Sequence, residues 1–134
     1  MPDERDALVY LDVEDALEVF AAIIGGTPEQ AVDQLRSREA LEGALGRPAN
    51  YARYEDADLA AQAAVLAHGI AETQPFIDGN KRTALVAMLT FLEINGRRVH
   101  ATDRELADWI ISFSAGVTPQ VLAELLRSRL VAPP

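Results

Sequence analysis

A chain of 134 residues, 49% hydrophobic and 25% charged, is long enough to bury a core and falls in the range of one globular unit, so residues 1–134 are read as a single domain. It holds no cysteine, which excludes a disulfide framework, a thiolate metal site and a thiol nucleophile. A formal charge of -9 repels phosphate backbones at long range and argues against direct nucleic-acid binding, since the bases cluster only in part, at Lys81, Arg82, Arg97 and Arg98.

The first residues, Met-Pro-Asp-Glu-Arg-Asp, are acidic where a secretory signal is basic and then apolar, and no uncharged run reaches the roughly 18 residues that span a bilayer. The expectation is a cytoplasmic protein without membrane contact. Residues 7–11, Ala-Leu-Val-Tyr-Leu, fit a short strand. Asp12 then caps a helix with Glu14 and Asp15 in its first turn, a core stripe of Leu17, Phe20 and Ile24, and a stop at Gly25-Gly26. Thr27-Pro28 opens a short second helix, and Glu39–Leu45 reads as a third that ends near Gly46-Arg47-Pro48. Residues 47–54 show no clear period and read as a loop or flap.

From Asp56 to about Glu72 alanine dominates, with Leu59, Ala63, Leu66 and Ile70 at helical spacing. After a break at Gln74-Pro75-Phe76, the next helix starts near Gly79 or Asn80 and runs to Asn95-Gly96. Its stretch from Ala84 to Leu92 is apolar on nearly every face, the mark of a helix surrounded by others. Thr102-Asp103 and Thr118-Pro119 start two more helices, and the chain ends in Pro133-Pro134. The pattern is all-α: a compact bundle around one central buried helix at about 80–95, its only β-structure a short N-terminal strand or a small flap hairpin.

Chemistry belongs where the helical pattern is interrupted. The N-terminus of a central helix exposes unpaired N–H groups and the positive end of the dipole, which suits an anion. Gly79 permits close backbone approach, Asn80 can orient a phosphate oxygen or cap the turn, and Lys81 and Arg82 add two cationic donors. Asp78 would repel a bare phosphate but suits a Mg2+ ion bridging two phosphate groups, so the residues point to a nucleotide with its metal. Asp-Gly-Asn is also ordinary turn chemistry, and Lys81-Arg82 would serve as a solvated first turn. Cations at a helix N-terminus oppose its dipole by up to about 1 kcal/mol, however, which favours the reading with an anion.

The run Pro75-Phe76-Ile77-Asp78-Gly79-Asn80-Lys81-Arg82-Thr83-Ala84 resembles the signature His-Pro-Phe-x-Asp-Gly-Asn-Lys-Arg-Thr-Ala of the Fic/Doc family, in its short "death on curing" branch. Leu41–Pro48, Ala67–Ala71 and Phe91–Gly96 resemble the stretches that the branch places around it, so the likeness covers nearly the whole chain. It implies a helical Fic fold and transfer of a phosphoryl or nucleotidyl group from ATP, or another nucleotide, to a protein hydroxyl, with a translation factor as target in the Doc branch. It also implies a small Phd-like antitoxin as a second partner. By the same resemblance Asp78 would hold Mg2+, Gly79 and Asn80 would hold phosphates, Arg82 would contact the polyphosphate, and Lys81 stands where Doc-type members have lysine. Phe76 would plug into the core, and residues 47–54 would be the flap that aligns a target peptide by strand addition.

The departure is Gln74, at the position of the family's general base. An amide donates and accepts hydrogen bonds but has no proton-accepting state near neutral pH, and loss of a positioned base typically costs about 10² to 10⁴ in rate. His68 lies six residues earlier, about 240° around a continuous helix, and reads as a packed residue; His100 reads as exposed. The branch also often has a histidine where this chain has Phe20, and an Arg-Asp pair where Arg36-Ser37 stands. Gln74 is either an engineered substitution or the residue of a natural divergent member, and three readings follow: a Doc-like transferase, active or disabled by mutation, a pseudoenzyme that binds a nucleotide or partner without transfer, and a helical interaction domain with a vestigial loop.

Overall fold

The structure is a computed structural model that describes residues 8–132. Ala7, the acidic start and Pro133-Pro134 lie outside the described residues. The elements are α1 (Val13–Ile24), α2 (Pro28–Asp33), α3 (Arg38–Glu55), α4 (Leu59–Thr73), α5 (Asn80–Ile94), β1 (Arg98–Val99), α6 (Asp103–Ile111), a 3-10 turn (Ser112–Ala115), α7 (Pro119–Arg129) and β2 (Leu130–Val131). The all-α expectation holds.

Helix starts follow the capping rules. Asp12, Thr27, Ser37, Asp58, Thr102 and Thr118 each accept a backbone N–H of the turn they open, whereas α5 starts from Gly79 with no side-chain cap. Glycine closes α1, where Gly25 takes φ 68°, a left-handed conformation that costs it little.

Helix α4 packs against α3, α5 and α7, and α5 packs in turn against α1 and α6. Small residues make the close packing of α4 feasible, with Ala60, Ala63, Ala64, Ala67 and Gly69 all buried. Helix α5 is enclosed as its sequence predicts, burying Ala84, Ala87, Met88, Phe91 and Leu92, and it shares the centre of the bundle with α4. One apolar cluster joins Leu11, Leu17 and Phe20 to Leu41, Leu66, Ile70, Phe91, Ile110 and Leu126. Buried Gln62 is satisfied within it, accepting from the Tyr10 hydroxyl at 2.8 Å and donating to Ala57 O at 2.9 Å.

Three expectations are corrected. Residues 47–54 are helical: α3 runs through Pro48 to Glu55 and stops where Asp56 turns left-handed at φ 54°. Proline removes one helical hydrogen bond, but the buried Pro48 ring continues the stripe of Leu41, Ala44 and Leu45 against α4. The backbone groups of this stretch are thus directed along a helix, and it presents no strand edge for a peptide. Residues 8–11 form no strand; Val9 instead exchanges both main-chain bonds with the Asn95 side chain, at 2.8 and 2.9 Å. Ile24 is 43% exposed and leaves the core stripe to Leu17 and Phe20. The two-stranded sheet joins the end of the chain to the α5–α6 connection, with Arg98 opposite Val131 and Val99 opposite Leu130.

The α3–α4 contact is close enough to test. A Cβ at Gly69 would lie 3.3 Å from Ala44 Cα and 3.0 Å from Arg47 Cδ, whereas one at Gly43 would meet nothing within 4 Å. Gly69→Val is expected to destabilise by about 1–3 kcal/mol and Gly43→Ala to stabilise by about 0.5–1 kcal/mol, both read from urea unfolding.

Candidate functional site

The connection between α4 and α5 is built from three anchors. Helix α4 ends at Gln74, whose N–H reaches Ile70 O at 3.0 Å and whose backbone is left-handed, φ 49° and ψ 62°. That conformation is uncommon for a residue with a side chain and turns the chain sharply back toward the core. Phe76 then enters the core. Its ring is fully buried and stacks on Phe20 with coplanar rings 3.9 Å apart between centroids. Phe20 therefore supplies an aromatic platform where the resemblance leads one to look for histidine.

The second anchor is the α2–α3 connection. Arg36 N–H and Ser37 N–H both donate to Pro75 O, at 2.8 and 3.1 Å, Ile77 N–H donates to Gln34 O at 2.8 Å, and Leu35 pairs with Phe76 as an isolated antiparallel bridge. The third anchor is Asn80. Its Oδ1 accepts Phe76 N–H at 2.9 Å and its Nδ2 donates to Phe76 O at 2.8 Å, so one side chain satisfies both main-chain groups of a buried residue. The sequence places Asn80 among phosphate ligands; the structure places its side-chain amide within the loop as a brace.

Around this scaffold lies a cleft of about 350 Å³, lined by Ala71, Gln74 and Ile77 through Arg82. The first turn of α5 opens into it from Gly79, which has φ 78° and contributes no side chain to cap the exposed N–H groups. Asp78 is exposed, with Oδ1 accepting Gly79 N–H at 2.8 Å and no partner for Oδ2 among the described residues. Lys81 and Arg82 are exposed, and neither forms an ion pair among the described residues. The structure thus brings together Gln74, Asp78, Gly79, Lys81 and Arg82, the combination expected for an anion with an accompanying cation.

A metal could not be held here by protein alone, since no group of three or more acidic or imidazole side chains converges among the described residues. One carboxylate with a free oxygen does fit Mg2+, which keeps water and substrate phosphate oxygens as most of its ligands.

Gln74 is held by a residue that sequence reasoning noted only as half of an altered pair. Arg36 donates to the Gln74 main-chain O from Nε at 3.1 Å and from Nη2 at 2.6 Å, and Nη2 also reaches Gln74 Oε1 at 3.2 Å. No spacing rule could have found this contact, because the two residues lie 38 positions apart. Neither histidine lines the cleft. His68 is partly buried, 3.7 Å from Glu72 Oε2 and edge-on to Phe113, while His100 is exposed beside the two-stranded sheet.

Removing the Asn80 brace is expected to expose its importance. Asn80→Ala leaves two buried main-chain groups unpaired, at about 1–3 kcal/mol each, so urea unfolding should report a loss of roughly 2–6 kcal/mol. Asn80→Asp retains an acceptor for Phe76 N–H and is expected to lose less.

A family model described as the Fic/DOC family matches residues 10–92, a span that includes α1 to α5 up to Leu92 and the whole α4–α5 connection. The chain is also 37% identical over 94 residues to a protein named Toxin Doc from Mycolicibacterium smegmatis, an alignment that covers 69% of this chain and 68% of the relative. The matched region contains the helices that frame the cleft and each of the three anchors of its loop. On these grounds the chain belongs to the Fic/DOC family.

Proposed function

We propose that the protein is a Doc-like toxin-type transferase scaffold, which binds a magnesium nucleotide such as ATP in the α4–α5 cleft and is impaired in transfer because Gln74 replaces the base. The observation that carries this is the cleft itself: an uncapped helix N-terminus, two unpaired cations and one half-free carboxylate meet in a single depression. Lys81, Arg82 and the first-turn amides around Gly79 would hold the phosphates, and Asp78 would hold Mg2+, which when bound neutralises phosphate charge. The acceptor would be a hydroxyl of a protein target, such as a translation factor in the cytoplasm, and the group moved a phosphoryl or a nucleotidyl.

Transfer needs the hydroxyl proton to leave, and among the described residues the cleft offers no imidazole to take it: Gln74 cannot, His68 and His100 stand elsewhere, and the one carboxylate, Asp78, would be engaged with Mg2+. Positioning and electrostatics would remain, and these carry much of phosphoryl transfer. Restraint by a Phd-like antitoxin fits a mostly apolar groove of about 770 Å³ between α1 and α5, lined by Val19, Ile23, Val86 and Ile94 and reaching Arg82 at one end. A second reading, a pseudoenzyme that binds the nucleotide or a partner without transfer, is favoured by the Arg36 contact, which holds the Gln74 amide in a binding posture rather than leaving it idle.

The test compares the Gln74 chain with Gln74→His, each incubated with labelled ATP, Mg2+ and a cell lysate. Label in a protein is expected from Gln74→His at a rate at least about 10²-fold above the Gln74 chain. Equal labelling by the two forms would overturn the argument about the base, and no labelling by either, with ATP still bound, would leave the pseudoenzyme reading. Arg82→Ala is expected to weaken ATP binding about 10- to 100-fold in calorimetric titration, as loss of a charge-assisted hydrogen bond should.

A further inference from the structure

We infer that Gln74 is itself an anion ligand, its side-chain NH2 donating to a phosphate oxygen of the bound nucleotide, with Arg36 as the positioning residue that turns the amide that way; this rests on the reading of the cleft as a nucleotide site.

The argument begins with the chemistry of the two side chains. A guanidinium has five N–H donors and no acceptor, so the amide atom facing Arg36 Nη2 at 3.2 Å must be the oxygen. That fixes the orientation of the Gln74 carboxamide without appeal to the shapes of its two ends, which are alike. Arg36 is a firm reference point because its Nε and Nη2 are already committed to the Gln74 main-chain carbonyl, and its own N–H is committed to Pro75 O. The third contact therefore orders little that is not ordered already.

Gln74 lines the cleft and Arg36 does not. With the oxygen turned to Arg36, the NH2 end is the part of the amide left for a ligand in the cleft that Gln74 lines together with Lys81 and Arg82. Histidine at this position offers a nitrogen that accepts a proton; glutamine so oriented offers two N–H donors and no acceptor toward the ligand. The same position is thereby converted from one that removes a proton from the incoming group to one that grips the anion. Asp78, the acidic member of the cleft, sits four positions further on; its Oδ1 accepts Gly79 N–H, and no hydrogen bond joins it to the Gln74 amide among the described residues.

The experiment measures binding of inorganic pyrophosphate and of ATP, each with Mg2+, to the full chain and to three variants. Gln74→Met keeps length and removes the donors, and is expected to bind both probes about tenfold more weakly. Gln74→Glu keeps an oxygen for Arg36 and turns the other toward the cleft as an anion, and is expected to bind about a hundredfold more weakly. Residue 74 is exposed, so the melting temperatures of both should stay near that of the Gln74 chain. In the Gln74 chain the side-chain NH2 resonances of Gln74, assigned by their absence from Gln74→Met, are expected to shift on addition of pyrophosphate. Binding by Gln74→Met as tight as by the Gln74 chain, with those resonances unmoved, overturns the inference. Arg82→Ala, the third variant, separates the two levels. If it weakens binding while Gln74→Met does not, the nucleotide site stands and the role of Gln74 falls; if the Gln74 chain binds neither probe at millimolar concentration, both fall.

Discussion

Phe76 sits in the connection between two helices, yet its ring is fully buried against Phe20, and this one insertion sets the terms for everything around it. Burying a phenylalanine side chain is worth about 1.5–3 kcal/mol, but a ring can enter the core only by carrying its own peptide groups inward. Those groups would each cost about 1–3 kcal/mol unpaired. Asn80 answers both at once, and because Asn80 is the first residue of α5, the solution also dictates where that helix begins. The N-terminus of α5 consequently opens at the surface of the loop rather than being folded beneath it.

That arrangement explains an otherwise odd distribution of charge. The chain is strongly acidic overall, yet the first turn of α5 carries Lys81 and Arg82, where the dipole disfavours cations, and it lacks the side-chain cap that the other helices have. A fold under no constraint but stability would reverse both choices. Keeping them gathers two exposed cations at one cleft of a negative molecule, as the proposed anion site requires. Under the proposed reading Asp78 would temper that charge and give a cation accompanying the anion a point of attachment.

The elements were legible where punctuation is chemical. Thr27-Pro28, Thr102-Asp103 and Thr118-Pro119 start helices as cap and proline rules require, and Gly25 and Asn95-Gly96 stop them. Pro48 misled because a proline inside a helix is judged by its missing hydrogen bond, whereas here the burial of its ring against α4 outweighs that loss. Residues 8–11 have the composition of a strand, but the main chain of Val9 is paired with the side chain of Asn95, 86 positions away. The site divides in the same way. Its charged members stand in one short motif and could be read directly. The brace of Asn80 and the grip of Arg36 depend on which groups the fold buries and which segments it juxtaposes, and neither follows from local pattern.

The hold of Arg36 on residue 74 passes chiefly through the main-chain carbonyl, an atom common to every amino acid. Histidine also enters the left-handed region more readily than most residues, so either side chain can occupy this turn without rebuilding it. Glutamine and histidine codons differ by a single nucleotide. Under the proposed function the fold would therefore let a lineage lose or regain a proton acceptor at residue 74 in one mutational step with stability nearly untouched, so the position would be selectively cheap to abandon and equally cheap to recover.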